Sequence, residues 1–511
     1  MQETKKRVSD VITDKDISKW RNGDIVAISA GCGAGKSYFI KNVLYKRAKA
    51  EKKKILMLIH RKRCVEQFQM EIKTDNKTDT IDVQTYQSIE FAMLNNKPLD
   101  FSQYAYIVSD EFHYFIEDSS FNSYTDLSFD SIIRYNHAVK IFMSATGDTM
   151  INMMIEYKNR INRKMIMYQY SINHDYTHLR NLKFFYQNDT IKALAYEFKK
   201  VGRKAIFFIQ SAKEAHSLYK AFQDCALFLC GKSSDSGQKY SSDIDEGAIK
   251  SMLANQNFDK LFLITTGCFD AGANIIDTEL HDVVIDMKNV SSLIQCLGRK
   301  RSQGADDYLD VYIKAVSNRQ LGGIHSTRVD GLKRANFLLQ HDTRKYVEEY
   351  PRDDKFGKFH KALIYDEPMS KRNKNTCTKK VNMMIYEKYK LDIQQCDDMK
   401  KIGYAQYIAN IFRFGNGYGR YYSFVEEGQL RDYLEMLAVN QVVMLTAEDK
   451  KPLIDKMNVK HNGKLLKSCN SLNAALEEKR YMYRIETFET SRIIDGNKKK
   501  FKSAWRVVKI E

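Results

Sequence analysis

The chain has 511 residues, 43% of them hydrophobic and 29% charged, with 82 Lys and Arg against 64 Asp and Glu, for a formal net charge of +18. That length exceeds one ordinary core and suggests about three domains. No apolar run approaches the roughly 18 residues a membrane span needs. The start, MQETKKRVSDVITDKD, has no apolar core of signal-peptide length, so the expectation is a soluble, cytoplasmic protein with no membrane partner. The basic excess favours a polyanionic partner through counterion release, although a solvated lysine surface accounts for it equally well. The nine cysteines are scattered without C-x-x-C spacing and are read as reduced thiols rather than a zinc or disulfide framework.

In chain order, short apolar, β-branched runs alternate with amphipathic stretches from residue 20 to about 315. The first series of expected strands is DIVAISA (24–30), KILMLIH (54–60), IDVQT (81–85), YAYIVSD (104–110) and VKIFMSA (139–145). A second series follows: LKFFYQ (182–187), KAIFFIQ (204–210), LFLC (227–230), KLFLITT (260–266), DVVIDM (282–287) and DVYIKA (310–315). Such continuous runs mark parallel strands buried on both faces, so the expected fold is α/β with two parallel-sheet lobes, 1–172 and 173–315. Residues 316–511 lose that rhythm and read as a mainly helical accessory region. Within it, a helix at 465–479 and two strands at 480–489 and 501–511 are compatible with a winged-helix-like end.

The first chemical motif is AGCGAGKS at 30–37, between an expected strand and a helix. Gly31, Gly33 and Gly35 let the backbone wrap so that its N–H groups converge on phosphate oxygens, and the next helix adds its positive N-terminus. Lys36 is then placed for the β- and γ-phosphates and Ser37 for magnesium. The loop opens with Ala30 where glycine is usual, a residue still small enough for the turn.

The second motif, YIVSDEFH (106–113), brings two carboxylates to the tip of another buried strand, the edge at which open α/β sheets bind ligands. Taken alone, an Asp-Glu pair there is most often a solvated loop. Beside a phosphate loop, Asp110 suits magnesium and Glu111 suits polarising an attacking water.

Together with further segments in a fixed order, these motifs resemble the superfamily 2 helicases of the DExH branch, the DEAD/DEAH-box-like ATPases, with DEFH as the Asp-Glu-x-His box. LIHRKRCVEQF (58–68), VQTYQSI (83–89) and FMSATG (142–147) resemble motifs Ia, Ib and III, while FFIQSAKEAHSL (207–218), LITTGCFDAGANI (263–275) and SLIQCLGRKR (292–301) resemble motifs IV, V and VI. The resemblance covers residues 20 to about 305. It implies two RecA-like lobes that use ATP and Mg2+ and bind nucleic acid.

By position the resemblance places Arg61, Lys62, Thr85 and Thr265 on the nucleic-acid backbone, and Asp270 and Gly272, with Asn274, beside the nucleotide. His113, Ser144 and Thr146 would couple hydrolysis to movement. Gln295, Arg299 and Arg301 would face the triphosphate, the arginines as fingers, although the commoner spacing puts the second arginine one residue further on than it stands here. DNA is favoured over RNA, because the wording of motifs Ia and VI is closer to replication, repair and restriction-type members. A strand-separating helicase, a translocase and an ATP-gated binding switch all fit, and a P-loop kinase is disfavoured by motifs V and VI. The accessory region is left as either a nucleic-acid grip or a protein-docking element.

Overall fold

The computed structural model describes residues 6–510 apart from 32, 121, 162–164, 232–238, 268–273, 305, 352–361, 369–376, 421–423, 462–463, 479–480 and 495–496. The apolar runs of the first lobe form β1 (Ile25–Ala30), β2 (Lys54–Ile59), β3 (Ile81–Thr85), β4 (Tyr104–Asp110) and β5 (Val139–Ser144). A strand absent from the sequence expectation, β6 (Met167–Ile172), joins the edge beside β1. The sheet order is β3-β2-β4-β5-β1-β6, and its pairs are parallel. Every carboxyl end therefore points to one side, which puts the loop after β1 and the turn after β4 on a common edge with β5 between them.

The second lobe is built from β7 (Leu179–Phe185), β8 (Lys204–Ile209), β9 (Ala226–Leu229), β10 (Phe262–Thr265), β11 (Leu280–Asp286) and β12 (Leu309–Lys314). They run β7-β12-β11-β8-β10-β9, again in parallel. Adjacent phenylalanines at 184–185 and 207–208 are all at most 1% exposed, because both faces of this sheet are covered; each such burial is worth about 1.5–3 kcal/mol. The stretch FRFGNGYGRYYSF, which interleaves arginine and tyrosine at 412–424, adds an edge strand: Gly419–Arg420 pairs with β7, and Tyr418 packs edge-on to Phe184.

Beyond β12 the chain is mainly helical. Asn318–Gln340 leads away from the second lobe, and Met383–Ile402 returns across both lobes. Met384 enters the first lobe's core beside Phe115 and Phe129, whereas Cys396, Met399, Tyr404 and Ile408 join the second lobe's core. Ala335, Leu363, Ile385 and Tyr389 form a small cluster where these two helices meet, and a further core lies beyond, with Leu434, Leu453, Leu472, Ile485 and Trp505 among its members. The expected helix and hairpin are here as Cys469–Glu478, Tyr483–Ile494 and Asn497–Lys509, the strands running well past the expected ends.

Candidate active site

The loop after β1 bends through Gly33 and Gly35, whose φ values of +77° and +82° lie in the left-handed region that glycine enters without steric cost. A Cβ on Gly31 would come within 3.0 Å of His174, so the loop passes close to the segment that joins the lobes. The first helical turn braces it from outside, Val8 N–H donating to Ala34 C=O at 2.9 Å. Lys36 opens the following helix; its Nζ donates to Ala30 C=O at 2.9 Å and lies 3.8 Å from Glu111 Oε1. Ser37 follows it, exposed, on the wall of the cavity described below.

At the end of β4, Asp110 is followed by Glu111 at φ +50°, a backbone strain of the kind that clusters at functional sites. Phe112 turns inward beneath Gly147, where a Cβ would meet its ring at 2.5 Å. That missing side chain lets the turn after β4 pack against the Ser-Ala-Thr segment after β5. Gln295 Nε2 lies 2.6 Å from His113 Nε2, His113 Nδ1 lies 2.8 Å from Ser144 Oγ, and Ser144 Oγ donates to Glu111 Oε2 at 3.2 Å. The Thr146 N–H adds a bond to Ser144 Oγ at 3.0 Å. One chain of polar contacts thus runs from the second lobe to the Glu111 carboxylate.

The two carboxylates part company electrostatically. Burial would raise Glu111, but Lys36, His113 and Arg299 hold it well below the usual carboxylate range. Asp110 is pushed up by burial and by the charge of Glu111. Burial pulls His113 down, yet the hydrogen bond and charge of Glu111 raise it above its ordinary value.

From the second lobe, the helix Val290–Leu297 presents Gln295 and then Arg299, each 6% exposed. Arg299 Nε donates to Gln295 C=O at 3.2 Å. The turn is fastened by Ile275 N–H to Arg299 C=O at 2.8 Å and Arg301 N–H to Ile275 C=O at 2.9 Å. Lys300 turns the other way, into a buried ion pair with Asp307 at 2.6 Å, so the shortened spacing still leaves both arginines on the cavity side. Arg301 Nε donates to Asn274 Oδ1 at 2.9 Å, and its Nη1 would lie 3.2 Å from a Cβ on Gly33. A cavity of about 380 Å³ is lined jointly by Lys36, Asp110, Glu111, Gln295, Arg299 and Arg301, and a second of about 720 Å³ continues past Gly33 and Arg301 along His174–His178.

Asp270 and Gly272 lie outside the described residues. Thr85 caps the helix Tyr86–Leu94 by accepting from Ser88 N–H at 3.1 Å, and Thr265 is fully buried with its hydroxyl on Thr266 C=O at 3.1 Å. Arg61 precedes the helix Lys62–Thr74 and is half-buried, while Lys62 is exposed.

Two residues escaped the motif reading. His60 ends β2's apolar run, is 8% exposed on the cavity wall, and has no hydrogen-bond partner at Nδ1 among the described residues; burial, with Arg61 beside it, pulls its pKa well below the ordinary value. Glu117 closes the apolar turn YFIE directly before Asp118, and nothing in that local pattern marks it.

No family model matches the chain, and no curated protein matches its sequence. Among solved structures it is similar to S. cerevisiae Dbp5 bound to RNA and ADP BeF3, at 15% identity and TM-score 0.41, covering 59% of this chain and 82% of that one. It is also similar to Mss116p bound to ssRNA and AMP-PNP, at 16% identity and TM-score 0.41, covering 57% and 66%. A third is the DUF1998 helicase MrfA bound to DNA, at 16% identity and TM-score 0.38, covering 59% and 44%. These likenesses are distant, and the chemistry is read from the cavity's own residues.

Proposed function

We propose that the chain is an ATP-dependent nucleic-acid motor of the superfamily 2 helicase type, hydrolysing ATP between its lobes and using the change in lobe–lobe grip to move along and separate strands, DNA in preference to RNA. The observation that carries this reading is the meeting of Lys36, Glu111 and His113 from one lobe with Gln295, Arg299 and Arg301 from the other around one cavity. A P-loop kinase is disfavoured by the segments 263–275 and 292–301, which resemble motifs V and VI. The preference for DNA rests on the wording of residues 58–68 and 292–301.

In this reading Lys36 exchanges its contacts with Ala30 and Glu111 for the β- and γ-phosphates. Ser37 and Asp110 offer the hard oxygen donors magnesium requires, and the burial and Glu111 charge that push Asp110 up would be relieved by a cation beside it. The metal ion, when bound, supplies charge neutralisation on the phosphates. Glu111, held ionised, accepts the proton of the attacking water as the bond from the γ-phosphorus to the ADP oxygen breaks and the new P–O bond forms. Arg299 and Arg301 stabilise the charge that develops in that transition state. The His113–Gln295 contact lets the catalytic turn respond to lobe closure, and directional movement follows only if the lobes grip the strand differently before and after hydrolysis.

Lys36→Ala should abolish ATP binding by calorimetry. Glu111→Gln should bind ATP as wild type does yet lose turnover by roughly a hundredfold or more, the scale of a missing general base. Single-stranded DNA, duplex DNA and RNA are then compared as stimulators of wild-type ATP hydrolysis. Stimulation by none of them would remove the motor, and stimulation without strand release from a partial duplex would leave a translocase.

A further inference from the structure

Glu117 lies one helical turn beyond His113 and ties three parts of the chain together. Its Oε2 accepts from Asn289 Nδ2 at 2.6 Å and from Lys388 Nζ at 3.1 Å, and its Oε1 accepts from Ser291 Oγ at 3.1 Å. Asn289 uses its other amide atom, Oδ1, to cap the helix Val290–Leu297 by accepting from Ser292 N–H at 2.9 Å. The carboxylate therefore orients the amide that caps the helix carrying Gln295 and leading to Arg299. That helix is held at two points from the first lobe, its start by Glu117 and its middle by His113.

Lys388 belongs to the helix Met383–Ile402 and is 8% exposed. It also meets Asp392 at 3.2 Å, and Asp392 receives Arg328 Nε at 2.8 Å from the helix that leaves the second lobe. Burial alone would push the Glu117 carboxyl up and the Lys388 ammonium down, but each charge reverses the shift of the other. Removing one partner from such a pair leaves an uncompensated charge in a poorly solvated place, so the clasp forms as a unit or not at all.

We propose that Glu117 is a positioning residue that makes delivery of Arg299 into the interlobe cavity conditional on the helix Met383–Ile402 being docked through Lys388. The inference rests on the ATP-hydrolysis reading. It gives the accessory region a direct hold on the catalytic step, distinct from any grip on nucleic acid.

The test is a double-mutant cycle between Lys388→Met and Arg299→Ala in the full-length chain, with kcat and KM for ATP read at saturating nucleic acid. Lys388→Met should lower kcat about tenfold, a typical coupling magnitude, with KM little changed and Lys388→Arg restoring most of the rate. In the Arg299→Ala background Lys388→Met should cost nothing further, and in the wild-type background hydrogen exchange at the Ser292 amide should quicken. Glu117→Gln, which keeps the size and one carbonyl acceptor, should repeat the pattern if Lys388→Met does not fold; thermal melting checks both. An unchanged kcat, or equal losses in both backgrounds, overturns the positioning role while leaving the finger intact. Should Arg299→Ala itself leave kcat unchanged, the finger assignment falls and this inference falls with it.

Discussion

At the phosphate loop, a glycine and an arginine from opposite lobes nearly touch, and magnitudes decide which one governs binding. A Cβ on Gly33 would press on Arg301 Nη1 at 3.2 Å, but that atom ends a flexible side chain and can swing aside. The φ of +77° has no such escape, and holding an L-residue there costs roughly 1–2 kcal/mol. An alanine loop free to relax must be returned to that φ when ATP binds, so Gly33→Ala should weaken ATP affinity by about five- to thirtyfold, and almost all of that loss should persist in an Arg301→Ala background when both are measured by calorimetry. If Arg301→Ala restored the affinity, the steric clash would be the governing effect.

Within β5, Lys140 interrupts the apolar run VKIFMS and is wholly buried, its Nζ donating to Ile133 C=O at 3.0 Å. Burial lowers its pKa from 10.5 to about 8. The folded state thus holds this proton less tightly than the unfolded chain, and the resulting penalty is full below about 8 and fades as pH rises towards 10.5. Melting temperatures of wild type and Lys140→Met, compared across that window, should shift in favour of wild type as pH rises; a pH-independent difference would mean that the amine titrates alike in the folded and unfolded chain. The same strands show what a sequence does and does not disclose. β1, β2, β4 and β5 were legible because burial on both faces writes a nearly continuous apolar run, whereas β3, at the sheet edge, shows only the alternation of IDVQT. β6 was not, since MYQYSI is an edge strand with little more than its last residue fully covered. β7 starts earlier than expected because its polar opening serves a packing role: Arg180 and Asn181 both reach Asp310 of β12. The hairpin runs past its expected ends because the ladder from Thr490 to Ile494 carries no apolar alternation to read. At the site, the phosphate loop and DEFH turn were readable as local motifs, whereas Glu117 acquires its role from Asn289 and Lys388, which only the folded chain brings near.

For the molecule as a whole, the accessory region divides by where its apolar side chains go. Residues through Gly419–Arg420 complete the two lobes and form a small cluster between the two long helices, while the last core is assembled from its own helices and hairpin. A chain ending at residue 315 should accordingly aggregate, whereas one ending at Arg420 should stay soluble and bind ATP. If the removed part, whose hairpin carries Lys498, Lys499, Lys500 and Lys502, neutralises phosphates, the shorter chain should also show a shallower dependence of log affinity on log salt, by about 0.9 for each duplex phosphate it leaves unneutralised. An identical slope would point the distal core towards a protein partner. The helix Met383–Ile402 has one further consequence. It spans about 30 Å at 1.5 Å per residue and is anchored near its start in one lobe's core and near its end in the other's. Together with the chain passing from β6 to β7, it makes a second crossing between the lobes, as a stay does beside the hinge pin of a casement window. A sash held in this way swings through one short arc and stops, so on the proposed ATPase reading the spent phosphate would have to leave along a narrow slot whose two walls remain face to face.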